Sequence, residues 1–85
     1  MFHVEFTPQA LEDLSQLDRG IANRIVAKVQ WLAKQYDHVQ HETLTGRFAG
    51  LYKLRVGDWR VLYTTDPTKF IMTVHVIAHR STVYK

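Results

Sequence analysis

The sequence of 85 residues predicts an α+β fold in the order β-α-α-β-β-β. In this fold an N-terminal helical hairpin packs on a mainly antiparallel four-stranded sheet. Three observations predict it. Apolar residues alternate with polar ones over residues 2–6, recur every three or four positions over residues 10–36, and alternate again over residues 51–78. The hydrophobic period therefore changes from strand to helix and back within a single domain, residues 1–85.

The first half of the chain supplies one strand and two helices. Residues 2–6 predict a half-buried strand. Thr7 and Pro8 follow as an N-cap and a proline at the first helical position, and Asp18 can cap a second helix. One apolar stripe runs along each helix: Ala10, Leu11, Leu14 and Leu17 in the first, and Ile21, Ala22, Ile25, Val26, Val29, Leu32, Ala33 and Tyr36 in the second. Because the link between them is short, the two helices form an antiparallel hairpin.

The second half supplies three strands, predicted at residues 51–56, 59–65 and 70–78. The first two are joined by the two-residue turn Gly57-Asp58, and a loop at residues 66–69 leads to the third.

The short turn fixes the register of the first two strands. Val56 faces Trp59 and Arg55 faces Arg60. One face of this hairpin is apolar and forms the core: Tyr52, Leu54, Val56, Trp59, Val61 and Tyr63. The other face is basic, and it carries Lys53, Arg55 and Arg60. Like charges opposite each other destabilise a strand pair by a few tenths to ~1 kcal/mol, which favours a bound phosphate over a merely solvated surface.

The third strand extends this basic face in the predicted pairing of Thr65 with Phe70 and Arg60 with His75. The core side then carries Phe70, Met72, Val74, Val76 and Ala78, and the basic side carries Ile71, Thr73, His75, Ile77 and His79. Strict alternation would aim Arg80 into the core, so we expect the strand to end near His79 and the tail to curl back. The final positions of Arg80 and Tyr84 do not follow from the pattern.

Charge and composition limit the function classes. The formal charge is +3, with −2 on residues 1–42 and +5 on residues 43–85, which fits a polyanion partner and an ordinary solvated surface equally well. No cysteine, membrane-spanning stretch or signal peptide is evident, which predicts a cytoplasmic protein with no membrane partner. No phosphate-binding glycine loop or Ser/His/Asp set is found, and His38 and His41 in a polar loop are a weak metal signal. We therefore expect no metal and no cofactor.

Trp31 lies off the apolar stripe of the second helix, among Arg24, Lys28 and Gln35. It either packs under the loop that follows the helix or anchors a protein partner, because tryptophan is enriched at interface hot spots.

The residues from Gly50 to Tyr63 resemble the central hairpin of the RelE/ParE toxin superfamily. Residues 79–84, His-Arg-Ser-Thr-Val-Tyr, resemble the C-terminal motif of its RelE-like branch, and residues 6–10 match the family's opening. The resemblance spans nearly the whole chain, and the hairpin and tail carry its specificity.

This resemblance implies a toxin of a type II toxin-antitoxin system that cuts messenger RNA in the ribosomal A site without a metal. The implied partners are a cognate antitoxin, the ribosome with its mRNA, and operator DNA only through the antitoxin. Arg60 and Arg80 match the arginines that grip the scissile phosphate, Tyr84 a tyrosine that orients the substrate, and His79 a position where some relatives have a catalytic histidine. Lys53 and Arg55 match basic positions on the same face, and in the implied reaction His79 is the acid or the base while Lys53 or Arg55 stabilises a deprotonated group or the leaving oxygen. The strand alternation adds His75 to this face, so the predicted RNA-binding residues are Lys53, Arg55, Arg60 and His75.

Two alternatives remain open. A ParE-like relative keeps the fold but inhibits DNA gyrase, and a degenerate relative would act only as an antitoxin-binding co-repressor. The tail from His79 to Tyr84 favours ribonuclease chemistry over both.

Overall fold

The computed structural model describes residues 1–84, which form five strands and three α-helices. In chain order they are β1 (His3–Phe6), α1 (Pro8–Ser15), α2 (Arg19–Lys34), β2 (Glu42–Thr43), β3 (Tyr52–Val56), β4 (Trp59–Asp66), β5 (Ile71–His79) and α3 (Arg80–Val83), with 3-10 turns at Tyr36–His38 and Gly46–Phe48. The sheet order is β1-β5-β4-β3-β2, parallel between β1 and β5 and antiparallel elsewhere. The α+β prediction is confirmed, with β2 as a fifth strand. Across residues 1–84, no helix is long and apolar enough to span a membrane.

The helical hairpin begins and packs as predicted. Thr7 is the N-cap of α1, where its Oγ1 accepts from the Ala10 peptide N–H at 3.1 Å, and Pro8 follows it. Asp18 occupies the N-cap position of α2 without a side-chain capping bond. The core joins the helices to one face of the sheet, and its fully buried members include Ala10, Ile25, Val29, Leu32, Val61, Tyr63, Met72 and Val74.

The predicted register of the β3–β4 hairpin is confirmed. Val56 pairs with Trp59 and Arg55 pairs with Arg60. Gly57 turns the chain with a φ of +59°, which glycine adopts without the steric cost that a side chain would add.

The predicted register of β5 is wrong. Arg60 pairs with Ala78, not with His75, and Phe70 lies outside the strand with a φ of +56° and its side chain 57% exposed. Asp66 extends β4 to pair with Ile71, which moves the start of β5 along the chain. In addition β5 contains a bulge, because Tyr63 pairs with Val74 but the preceding residue of β4 pairs with Val76.

The bulge leaves His75 without a partner on β4 and reverses the facing of every later residue. Ile77 therefore enters the core, 4% exposed, opposite Val61, although alternation predicted it on the basic side. His79 pairs with Trp59 instead of facing the cations. Val76 and Ala78, which alternation predicted on the core side, lie on the opposite side of the sheet.

Thr7 and helix α1 supply hydrogen bonds to the edge of β5 beyond the last residue of β1. The last β1 pair joins Phe6 to Val74, which would leave the backbone of the bulge open. The Thr7 hydroxyl donates to the His75 carbonyl at 3.2 Å, and an Asp13 carboxylate oxygen accepts from the Ile77 N–H at 2.9 Å. Two side chains thus satisfy backbone groups that a longer β1 would have paired.

We expect Thr7→Val to destabilise the protein by about 1–3 kcal/mol, because this isosteric change removes both the cap of α1 and the bond to the bulge. Thr7→Ser keeps both bonds and should stay within about 0.5 kcal/mol of the wild type. Urea unfolding followed by circular dichroism measures the difference. Equal stability of the two variants would contradict the role assigned to the hydroxyl.

Candidate active site

The chain end folds back over the sheet, as predicted. β5 ends at His79, whose Nδ1 accepts from the Ser81 peptide N–H at 3.2 Å and so caps the one-turn helix α3. The His79 ring meets Trp59 edge-on, with the centroids 5.3 Å apart. The Arg80 peptide N–H donates to the Asp58 carbonyl at 2.8 Å, so Arg80 lies beside the β3–β4 turn with an exposed side chain. His79 therefore holds the tail in place and does not lie on the predicted basic face.

Arg60 is the buried centre of the site, with only 6% of its surface exposed. Its Nε donates to the Tyr84 hydroxyl at 3.3 Å, and its Nη1 donates to the carbonyls of Gly57 and Trp59, both at 2.9 Å. Within residues 1–84, no carboxylate forms an ion pair with it. Three oxygen atoms thus replace the water that the guanidinium loses on burial.

Tyr84 joins Arg60 to Lys53. The Lys53 ammonium lies 5.1 Å from the centre of the Tyr84 ring and the Arg60 guanidinium carbon 5.6 Å from it, while 53% of the tyrosine is exposed. The nearby Lys53 ammonium, and after it the hydrogen bond from Arg60, lowers the pKa of Tyr84 below its ordinary value, with burial opposing. The Tyr84 hydroxyl in turn raises the pKa of Lys53, and the Glu42 carboxylate adds to this.

Glu42 is a site residue that the sequence analysis missed. Its carboxylate lies 3.3 Å from the Lys53 Nζ, because β2 pairs Glu42 with Lys53. A two-residue strand is too short to show a hydrophobic period. The only signal in the sequence is an acidic residue shortly before the strongly patterned hairpin.

Arg55 and His75, the other two predicted RNA contacts, lie outside the cluster of Arg60, Tyr84 and Lys53. Arg55 is exposed opposite Arg60 and lines a groove against α2. His75 is on the Arg60 side of the sheet, but the bulge moves it along the strand, and its Nε2 bonds to the Thr64 hydroxyl at 2.8 Å. Trp31 is 43% exposed in the same groove as Arg55 and is not buried under the following loop.

The loop histidine His41 packs among tyrosines. Its Nδ1 lies 2.5 Å from the Tyr63 hydroxyl, and its Nε2 lies 2.9 Å from the Tyr36 carbonyl. Burial raises the pKa of the Tyr63 hydroxyl above its ordinary range, so this group is a proton donor at physiological pH. Both ring nitrogens of His41 are thus engaged within the protein, and in the part of the chain described here no cluster of metal-binding side chains forms.

The protein is thus a small basic domain with a helical hairpin on one face of the sheet and, on the other, a tail tyrosine between Arg60 and Lys53. The family model described as the ParE toxin of the type II toxin-antitoxin system parDE matches residues 4–84, and the chain belongs to this family.

The relatives include RelE toxins. The chain is 32% identical to the Toxin RelE of Mycobacterium tuberculosis over 84 residues, which cover 99% of this chain and 87% of the relative. The toxin-antitoxin complex RelBE2 from the same organism superposes with a TM-score of 0.80 at 28% identity, over 93% of this chain and 98% of that one. The isolated Escherichia coli RelE toxin gives a TM-score of 0.76 at 19% identity, over 99% and 92% of the chains, which indicates a shared fold.

We expect Lys53→Met to raise the pKa of Tyr84 toward its ordinary value, because the largest cause of its lowering is removed while Arg60 stays. Glu42→Gln is the matched control, since it removes the partner of Lys53 without removing either cation from Tyr84. Alkaline titration of tyrosine ring carbons by NMR, assigned with Tyr84→Phe, measures both. An unchanged Tyr84 titration in Lys53→Met would mean that Lys53 does not act on the hydroxyl in solution.

Proposed function

We propose that this protein is a toxin that cuts messenger RNA in the ribosomal A site, in the cytoplasm, and that a cognate antitoxin neutralises it. The observation that carries the proposal is the exposed Tyr84 ring, whose hydroxyl is held by Arg60 and faces Lys53. Such a site suits a phosphodiester, because cations stabilise the charge that develops on its oxygens and an aromatic ring stacks on a base.

In the proposed reaction the RNA 2′-hydroxyl gives its proton to a water molecule and attacks the adjacent phosphorus in line. The P–O5′ bond breaks, the 5′-oxygen takes up a proton, and a 2′,3′-cyclic phosphate or its opened form remains. Lys53, Arg60 and the exposed Arg80 supply positive charge around the phosphate. Tyr84 orients the substrate, and the lowered pKa of its hydroxyl favours it as the proton donor to the leaving oxygen.

His79 and His75 have supporting parts in this proposal. Because His79 caps α3, its contribution is to hold the helix that carries Arg80 and the following tyrosine. His75 adds to RNA binding from further along the same face, where Thr64 fixes its ring. Arg55 extends the phosphate-binding surface beyond Arg60.

The chemical groups present in the site are the reason for the proposed dependence on ribosomes. Cations and a phenol are present, but in the described part of the chain no histidine forms a hydrogen bond with Tyr84, Lys53 or Arg60. A site without a ready general base gains most from a substrate that is held in an attacking conformation by another body. The ribosome with its mRNA is that body in this proposal.

The proposed antitoxin is a flexible acidic chain that folds on the toxin. One solved structure to which the chain is similar is a toxin-antitoxin complex. We place the apolar part of the contact on the helical hairpin, at Trp31, and the charge pairing at Lys53, Arg55 and Arg60. Operator DNA is then a partner only through the antitoxin, and no membrane takes part.

Inhibition of DNA gyrase is the second candidate function, since the matching family model is named for ParE. The tail motif favours the ribonuclease, because a gyrase inhibitor has no evident use for a phenol held by two cations. A non-catalytic co-repressor is disfavoured for the same reason.

We expect Arg60→Ala to lower the rate of mRNA cleavage on ribosomes by about 10²–10³-fold, because one cation at the phosphate and the support of Tyr84 are lost. Tyr84→Phe, which leaves the buried guanidinium in place, should also lose most of the activity. Lys34→Ala is the control for loss of a charge, because Lys34 is exposed at the far end of α2. Mapping of cuts in a defined mRNA during translation in vitro provides the measurement, and circular dichroism confirms folding.

The same assay separates the candidates. Rapid cutting of naked RNA at nanomolar protein would overturn the dependence on ribosomes, and full activity of folded Arg60→Ala would overturn the assigned site. A block of gyrase supercoiling without any mRNA cuts would establish the ParE-like alternative.

For the antitoxin, we expect Trp31→Ala to weaken capture of the co-encoded neighbouring protein at least tenfold, because a buried tryptophan contributes ~2 kcal/mol or more to an interface. A pull-down at rising salt is the measurement. Charge reversal at Arg55 should instead make capture slower and alter its salt dependence. Capture that is unaffected by Trp31→Ala would remove this anchor only, whereas the absence of any binding partner would contradict the toxin proposal.

A further inference from the structure

A groove of about 520 Å³ runs between α2 and the end of β3. Its helical wall consists of Arg24, Ala27, Lys28 and Trp31, which lie three or four residues apart and so form one stripe of the helix. Its other wall consists of Arg55, Val56 and Gly57. Three cations and one indole line it, and no acidic residue is among the seven lining residues. An anionic ligand therefore fits this groove.

Two of the three cations lie close to other groups of the groove. The Lys28 Nζ lies 3.9 Å from the centre of the Trp31 ring, a cation–π distance. A Cβ atom at position 57 would lie 3.3 Å from the Arg24 Nη2, so the glycine that makes the hairpin turn also leaves room for the Arg24 guanidinium. The charged groups and the aromatic ring thus share one wall, the combination that single-stranded nucleic acid sites use.

Arg55 lies next to both the groove and the candidate active site. Arg55 lines the groove, pairs with Arg60 across the hairpin and stands two positions from Lys53 on the same strand. Strand residues two apart are separated by roughly 7 Å, so one extended polyanion can contact both surfaces. A basic track therefore leads from Tyr84 past Arg55 to Trp31.

We propose that this groove is a second RNA subsite, in which a nucleotide flanking the scissile phosphate stacks its base on Trp31 and places its phosphate among Arg24, Lys28 and Arg55. The inference rests on the proposed function, since it extends the same RNA strand beyond the cleavage site. An antitoxin segment that covers Trp31 would exclude RNA from the groove, so the two ligands are alternatives for one surface. Inhibition would then not require contact with Tyr84.

The test is direct binding of a fluorescein-labelled single-stranded decaribonucleotide to the full chain, followed by anisotropy at several salt concentrations. Loss of one stacked base predicts a Kd that is about 5- to 160-fold higher in Trp31→Ala. Loss of two of the three cations around the one phosphate in Arg24→Gln/Lys28→Gln predicts a salt slope smaller by up to about 0.7, the value for one phosphate contact on a single strand. Lys34→Gln lies on the same helix outside this groove and should change neither quantity.

A duplex of the same sequence forms the second arm. Weaker duplex binding that is insensitive to Trp31→Ala supports a stacking subsite, whereas equal binding with no effect of Trp31 would overturn it. Groove variants that bind RNA like the wild type but lose the antitoxin would show that the groove serves the protein partner alone, and would also overturn it. If the wild type cuts no mRNA on ribosomes but the groove variants still weaken RNA binding, the proposed cleavage fails and the subsite stands.

Discussion

The register of β5, set by the loop before it and by the bulge at His75, is the constraint on which the arrangement of the site depends. Without the bulge and the shifted loop, Arg60 would pair with His75, and the last residues of β5 would extend beyond the β3–β4 turn. With them, β5 ends at His79, directly opposite Trp59, level with that turn. The chain has no further strand partner there, so it turns into α3, bonds Arg80 to the Asp58 carbonyl and returns over the sheet. The position of the tail is thus a consequence of register.

The bulge is stable because another element supplies the hydrogen bonds that it disrupts. An unpaired buried carbonyl or N–H costs about 1–3 kcal/mol, so a bulge beside the end of β1 would be expensive if its edge stayed open. Thr7 and Asp13 of α1 meet the backbone of His75 and Ile77 there. The first helix, near the other end of the chain, therefore stabilises the register of β5 that sets the position of the C-terminal tail.

The parts of the fold that the sequence predicted are those governed by local patterns. The period of the apolar residues defined both helices, and the Gly57-Asp58 turn set the register that brings Arg55 opposite Arg60. The facing of β5 beyond His75 could not be predicted, because a bulge changes the alternation without changing the composition of the strand. The place of Glu42 in the site could not be predicted for a related reason. Its two-residue strand has no hydrophobic period, and its position depends on that of Lys53 in the folded protein.

The pairing of Arg55 with Arg60 places two like charges side by side at the candidate active site. Two exposed guanidinium groups in this position would repel each other, and the fold separates their environments instead. Arg60 is buried with oxygen acceptors from the turn and from Tyr84, while Arg55 stays in solvent beside α2. The pKa of the same hydroxyl is lowered, first by Lys53 and then by Arg60, because nearby cations favour the ionised phenol. The hydrogen bond that makes burial of Arg60 tolerable therefore also fixes the position of the Tyr84 hydroxyl.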